Sequence, residues 1–198
     1  LVKTLDFQLD IQSDNESLLY DATLEARSVY NETIRLAKQG VDWHAIPDRV
    51  ADDANLVKNT TQRVVAKALD AMENYYEYDD FGQPSHTKDG PYPLRANYEE
   101  GYTLSLTDGG DVAFRISAKP YKHVEGVLKG SDANLDILKT ALESDEWKIG
   151  TAEALFHNNS PELHVNVTNT EQTVRDKQDS QTVVGVDVNE DNVALTAL

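Results

Sequence analysis

Residues 5–11, LDFQLDI, set Leu5, Phe7, Leu9 and Ile11 on one side of an extended chain and Asp6, Gln8 and Asp10 on the other, the period-two alternation of a half-buried strand. The period then changes. Ser13-Asp14-Asn15-Glu16 has the form of a capping box, and Leu18, Leu19, Ala22, Ala26, Val29, Tyr30, Ile34 and Ala37 recur at helical spacing up to Gly40. A shorter helical stretch surrounds residues 43–54, interrupted near Pro47, and a second long helix is expected over 59–78 with Val64, Val65, Ala68, Leu69, Met72 and Tyr76 as its apolar side. A lone strand ahead of helices leaves backbone donors and acceptors unpaired, so it needs partners from further along the chain. The antiparallel strands expected after residue 95 are the available ones. The helices therefore read as an insertion into a β-domain, and the fold class as α+β.

The punctuation is FGQPSHTKDGPYP, residues 81–93, with three prolines, two glycines and no periodicity. Beyond it Tyr102, Leu104 and Leu106 alternate, Asp108-Gly109-Gly110 supplies a turn, and Val112, Phe114 and Ile116 alternate again, which predicts a β-hairpin. A strand and turn over 121–130, a short helix over 134–143, and a strand pair over 147–156 and 163–167 follow. Residues 170–181 form a polar connector, and the closing stretch is strand again.

The 198 residues carry 35 Asp and Glu against 18 Lys and Arg, a net charge of −17, with no cysteine. Disulfides and a thiolate zinc ribbon are thus excluded within these residues. No apolar run approaches the roughly 20 residues of a membrane span. The first residues lack the apolar core and cleavage site of a signal peptide, so the expected location is cytoplasmic, with no membrane partner. Such acidity ordinarily opposes nucleic-acid binding, which depends on Lys and Arg releasing counterions. Acids spread through the whole chain, with abundant Thr, Asn and Val and little Lys, instead match a halophilic protein. In multimolar salt the Debye length is about 3 Å or less, so self-repulsion is screened and carboxylates mainly serve solubility.

Near the end, VVGVDVNEDNVALTAL sets Val184, Val186 and Val188 on one face and Val183, Gly185 and Asp187 on the other. A carboxylate in such a strand must be solvated, hydrogen-bonded or holding a cation, because unpaired burial costs several kcal/mol. Local pattern leaves a solvated hairpin residue and a metal ligand both open. A calcium loop is excluded, since Asn192 stands where its Gly and Leu198 where its bidentate Glu would be. His44, His86, His123, His157 and His164 lack metal-site spacing, and no nucleophile elbow or phosphate-binding loop occurs. Arg27, Arg35 and Lys38 on the first helix, with Arg63 and Lys67 on the second, either face phosphates or balance neighbouring acids. Tyr75, Tyr76 and Tyr78 are open in the same way between packing and base stacking.

Taken in order, these segments resemble the OrfB/TnpB proteins of bacterial and archaeal transposons, relatives of the type V CRISPR effectors. The likeness rests on the opening KTLDFQLDI strand, on Arg27-Ser28-Val29-Tyr30-Asn31 as an "R-x-x-Y-N" segment, on Thr61-Gln62 leading a helix, and on Val184-Gly185-Val186-Asp187. The last is similar to the first RuvC motif, with Asn189 in place of its second Gly. The resemblance implies a wedge-type β-barrel whose first strand is 1–11, a helical recognition insert at 12–80, barrel and linker at 81–181, and the start of an RNase H-like (RuvC) domain at 182–198. It also implies guide RNA and target DNA as partners and Arg27, Asn31, Arg35, Arg63 and Lys67 as nucleic-acid contacts. Asp187 is implied as a catalytic carboxylate holding Mg2+.

In that family Mg2+ held by carboxylates drives phosphodiester hydrolysis. The remaining catalytic acids and the zinc ribbon lie beyond the first RuvC strand pair, so the polypeptide 1–198 is expected to be inactive by itself. An alternative is a stand-alone nucleic-acid-binding regulator derived from such a protein, without nuclease activity. A sugar- or acetate-kinase reading of Gly-x-Asp is disfavoured, because that motif opens a domain.

Overall fold

The computed structural model describes residues 2–12, 15–78, 82–84, 89–170, 184–189 and 192–197. Strand β1 (Val2–Ile11) is followed by helices α1 (Glu16–Lys38), α2 (Ile46–Asp53) and α3 (Lys58–Glu77). Four strands come next: β2 (Leu94–Asn97), β3 (Tyr102–Leu106), β4 (Val112–Lys119) and β5 (Lys122–Lys129). Helix α4 (Asp132–Glu143) precedes β6 (Trp147–His157) and β7 (Ser160–Asn169), and β8 (Val184–Asn189) and β9 (Asn192–Ala197) close the chain. Among the described residues the protein is α+β, a curled antiparallel seven-stranded half-barrel with four helices.

The sheet order is β2-β6-β7-β1-β5-β4-β3, so β1 lies at the centre and α1–α3 enter the chain between it and the edge strand β2. Leu5, Phe7 and Leu9 are buried while the residues between them are exposed, as the alternation requires. On one side β1 pairs with β7, Leu5 opposite Val165; on the other it pairs with β5, Leu9 opposite Leu128. The approach to β5 is close. A Cβ added at Gly126 would lie 2.1 Å from the Asp10 carbonyl oxygen, so only glycine admits the β1 backbone there.

The curl follows from connectivity. Edge strands β2 and β3 stand at opposite ends of the order, six spacings or about 29 Å apart if the sheet were flat. Residues 98–101 join them, and five virtual bonds of extended chain reach only about 17 Å. The sheet must therefore bend until its edges nearly meet. At the seam Tyr98 and Tyr102 form an isolated bridge with rings 5.5 Å apart, and the buried Tyr102 hydroxyl donates to the Gly150 carbonyl of β6 at 2.9 Å.

The interior is one apolar cluster. Leu5, Phe7, Leu163, Val165, Val112, Phe114, Ile116, Val124 and Leu128 come from the sheet; Leu19, Ala22, Ala26 and Ile34 of α1 pack on it, with Val64, Ala68 and Met72 of α3. Along β6 the register shifts between Ile149 and Ala152, a bulge that moves the buried set from odd to even positions. The expected hairpin around Asp108-Gly109-Gly110 is the β3–β4 turn, with Gly110 at φ 80. Helix α4 begins with Ser131 accepting the Asn134 N–H, a start two residues earlier than the apolar pattern predicts.

One difference from the sequence reading stands out among the described residues. The pattern does not predict strand β2, because LRAN is too short to show a period. Helix α1 takes Asn15 as its N-cap without a side-chain bond, and Ser13 and Asp14 of the expected capping box lie outside the described residues. Residues 171–181 of the expected connector, and Glu190 and Asp191, lie outside them as well. β8 and β9 form their own two-stranded sheet, with Asp187 opposite Ala194.

Candidate nucleic-acid interface

The five basic or polar residues expected to meet nucleic acid have different surroundings. On α1, Arg27, Asn31 and Arg35 succeed one another at four-residue intervals and so share one helix face. The Arg27 Nη1 donates to the Gly90 carbonyl at 3.0 Å, fastening the later part of the Pro/Gly-rich stretch to the helix. Arg35 Nε donates to Glu32 Oε2 at 2.7 Å and its Nη1 to Gln39 Oε1 at 2.9 Å; the Glu32 carboxylate holds the guanidinium pKa above its ordinary value. Asn31 is half-buried beside them.

On α3 the contrast is sharper. Lys67 reaches across to β6, its Nζ 2.7 Å from Glu153 Oε1, and lies 5.9 Å from the centre of the Tyr92 ring. Arg95 Nε stands 3.9 Å from the same carboxylate. Tyr92 in turn stacks on Tyr30 at 4.5 Å and donates its N–H to the Thr23 carbonyl at 3.1 Å. Burial first, then the neighbouring Tyr30 and the Glu153 charge, push the Tyr92 hydroxyl pKa up. The cluster Tyr30, Lys67, Tyr92, Arg95 and Glu153 joins α1, α3, β2 and β6, so Lys67 serves the packing of the insert on the sheet. Arg63, one turn earlier on α3, is exposed and makes no ion pair among the described residues.

The aromatic candidates of α3 lie at its C-terminal end, where Tyr76 is exposed and its ring is 5.2 Å from Tyr75 and 6.4 Å from Trp43. Tyr78 is also exposed. Glu73 and Glu77 share this end of the helix, so phosphates are less welcome there than along the face of Arg63.

A groove of about 760 Å³ opens where the seam meets the end of α4, walled by Tyr98, Trp147 and Leu142. Glu99, Glu100, Glu143 and Asp145 line it against Lys148 alone, a balance that repels phosphate. Asn59 Nδ2 and Asn97 Nδ2 both donate to Glu100 Oε2, which ties the rim to the start of α3.

Asp187 occupies the middle of β8 by backbone register, and its side chain lies outside the described residues. Among the described residues no group of three or more His, Cys, Asp or Glu could hold a metal ion. One carboxylate does not fit a two-metal centre, because Mg2+ takes near-octahedral oxygen coordination and each ion of a pair needs its own ligands. No described helix is long and apolar enough to cross a membrane.

Neither sequence comparison identifies a relative: no family model matches the chain, and no curated protein matches it.

Proposed function

We propose that this chain is the nucleic-acid-binding amino-terminal portion of a transposon-associated, RNA-guided DNA endonuclease of the OrfB/TnpB type, working in a halophilic cytoplasm. The observation that carries the reading is an order of parts: a central β-strand, a helical insert, the remaining strands of a curled antiparallel sheet, and a hairpin whose first strand bears Val-Gly-Val-Asp. In this reading the helical insert and the half-barrel bind the guide RNA and the end of the target DNA, reading backbone and helix geometry while base pairing reads sequence. The β8–β9 hairpin is then the start of a RuvC-like fold, and Asp187 its first carboxylate.

The net charge of −17 is compatible with this only if binding takes place where charges are screened or on local basic surfaces. Residues 54–69, which hold Lys58 and Arg63 beside the Glu153-paired Lys67 and contain no Asp or Glu, are one such surface. Cleavage is expected only of a form that supplies the other carboxylates.

The test is binding of the purified protein to a structured RNA in multimolar KCl, followed by incubation with target DNA and Mg2+. Binding without cleavage is the expected result. Absence of binding to any RNA counts against the reading, and cleavage by residues 1–198 alone counts against the assignment of Asp187 as one ligand of an incomplete site.

A further inference from the structure

Several local rules are broken together at the tip of the β4–β5 hairpin, Lys119-Pro120-Tyr121-Lys122. Tyr121 is 99% exposed, and no other exposed large hydrophobic side chain among the described residues is so free of the protein. Its φ is 61, a left-handed conformation that bulky residues rarely adopt. Proline before it fixes φ near −65°, so the pair has the φ signs of a type II turn, in which the second position belongs to Gly or Asn. Lys119 and Lys122 are directly opposed across the hairpin, where like charges repel. Neither has an ion-pair partner among the described residues, whereas the next charged cross-strand pair, Arg115 and Glu125, is matched at 3.1 Å. The register also shifts between Ser117 and Lys119, a bulge that re-aims the end of the strand.

Charge distribution isolates the same tip. Residues 112–124 contain Arg115, Lys119, Lys122 and His123 and no Asp or Glu, in a chain with 35 acids among 198 residues. His123 Nδ1 lies 3.3 Å from Ser117 Oγ, one step behind the lysine pair. Local rules broken together without a packing reason point to a partner, since strain is retained where the presented group is used. Both faces of the Tyr121 ring are open to solvent, and a flat ring between two cations suits a base between two phosphates.

We propose that this tip is a contact site for single-stranded nucleic acid, with Tyr121 stacking on a base and Lys119 and Lys122 facing the flanking phosphates. The inference rests on the nucleic-acid reading above and adds a site on the sheet, apart from the helical insert. A lone aromatic ring is too small an apolar surface to anchor a membrane, so a lipid headgroup is the less favoured source of phosphate.

The experiment is fluorescence anisotropy of a fluorescein-labelled oligouridine against the full chain over a series of KCl concentrations, with melting temperatures measured in parallel. Tyr121→Gly should weaken binding at least about fivefold while the melting temperature holds or rises, and Tyr121→Trp should retain binding. Lys119→Gln with Lys122→Gln should reduce the slope of log K against log salt by about 1.4. Equal binding by wild type and Tyr121→Gly overturns the inference and leaves the nucleic-acid reading in place. Binding of structured RNA without any oligouridine binding does the same. Failure of the wild type to bind either RNA sinks both. If Tyr121→Gly instead abolishes binding to phosphatidylserine vesicles and spares RNA, the tip is a lipid contact and the inference is wrong.

Discussion

The Tyr102 hydroxyl donates to the Gly150 carbonyl at 2.9 Å, tying edge strand β3 to β6 across the seam of the half-barrel. Gly150 also accepts from the Tyr98 N–H at 3.3 Å, so the sheet's two ends are held by backbone and side chain at one point. Tyr102→Phe keeps the buried ring and removes the bond. It should cost about 1 kcal/mol, most of it from the carbonyl losing its better donor. For a chain of this size that is a fall in melting temperature of about 2–4 °C, measured by circular dichroism.

Burial raises the hydroxyl pKa of Tyr30, Tyr92, Tyr98 and Tyr102. A raised folded-state pKa means that the native protein holds protons which the unfolded chain gives up. The stability these four groups contribute is therefore full below the unfolded tyrosine value, about 10, and is lost as pH rises above it. Denaturant midpoints should fall from near pH 10 upward. Tyr92→Phe should make that fall shallower, and an unchanged alkaline limb would count against burial of this ring.

Gly126→Ala sets a methyl 2.1 Å from the Asp10 carbonyl oxygen, a clash with backbone that no side-chain rotation relieves. The expected cost is about 3 kcal/mol, at the upper end for overpacking. Gly109→Ala, whose Cβ would meet only Thr107 Oγ1 at 3.7 Å, should be near neutral. Equal melting temperatures for the two variants would mean that β1 does not approach β5 this closely, which removes the central place of β1.

Arg63 and Lys67 sit one helical turn apart and should separate cleanly. Lys67→Gln loses the contact to Glu153 and the position over Tyr92; with both carboxylate and ammonium partly exposed, this costs no more than about 1 kcal/mol of stability. RNA affinity should change little. Arg63→Gln should leave the melting temperature alone, weaken RNA binding and reduce the salt slope by about 0.7. Thermal melts and salt-dependent binding isotherms on both variants check the pair.

The sheet was largely legible because period-two alternation survives in long strands such as β1 and β4: Leu5, Phe7 and Leu9 are buried, as are Val112, Phe114 and Ile116, whereas β6 breaks the alternation at its bulge. Long helices were legible for the same reason, and α3 begins one residue before and ends one before the expected span. LRAN of β2 was not, since four residues carry no period, and the curl that depends on its pairing with β6 was hidden with it. Residue type alone could not tell Lys67 from Arg63. A lysine looks the same in sequence whether it faces solvent or a glutamate 86 positions away. Tyr121 left one signal that could have been read: Pro-Tyr where a turn of this kind takes Pro-Gly.

The most direct test of the account is the RNA that travels with the protein. The chain, produced in a host with a multimolar-salt cytoplasm together with the DNA flanking its own gene, should be purified in high KCl and its bound RNA sequenced. One structured transcript from that flanking DNA, enriched far above its cellular abundance and less enriched in Arg63→Gln, is the predicted result. RNA in proportion to cellular abundance, or none, would contradict the proposal that this fold is the guide-binding part of an RNA-guided nuclease.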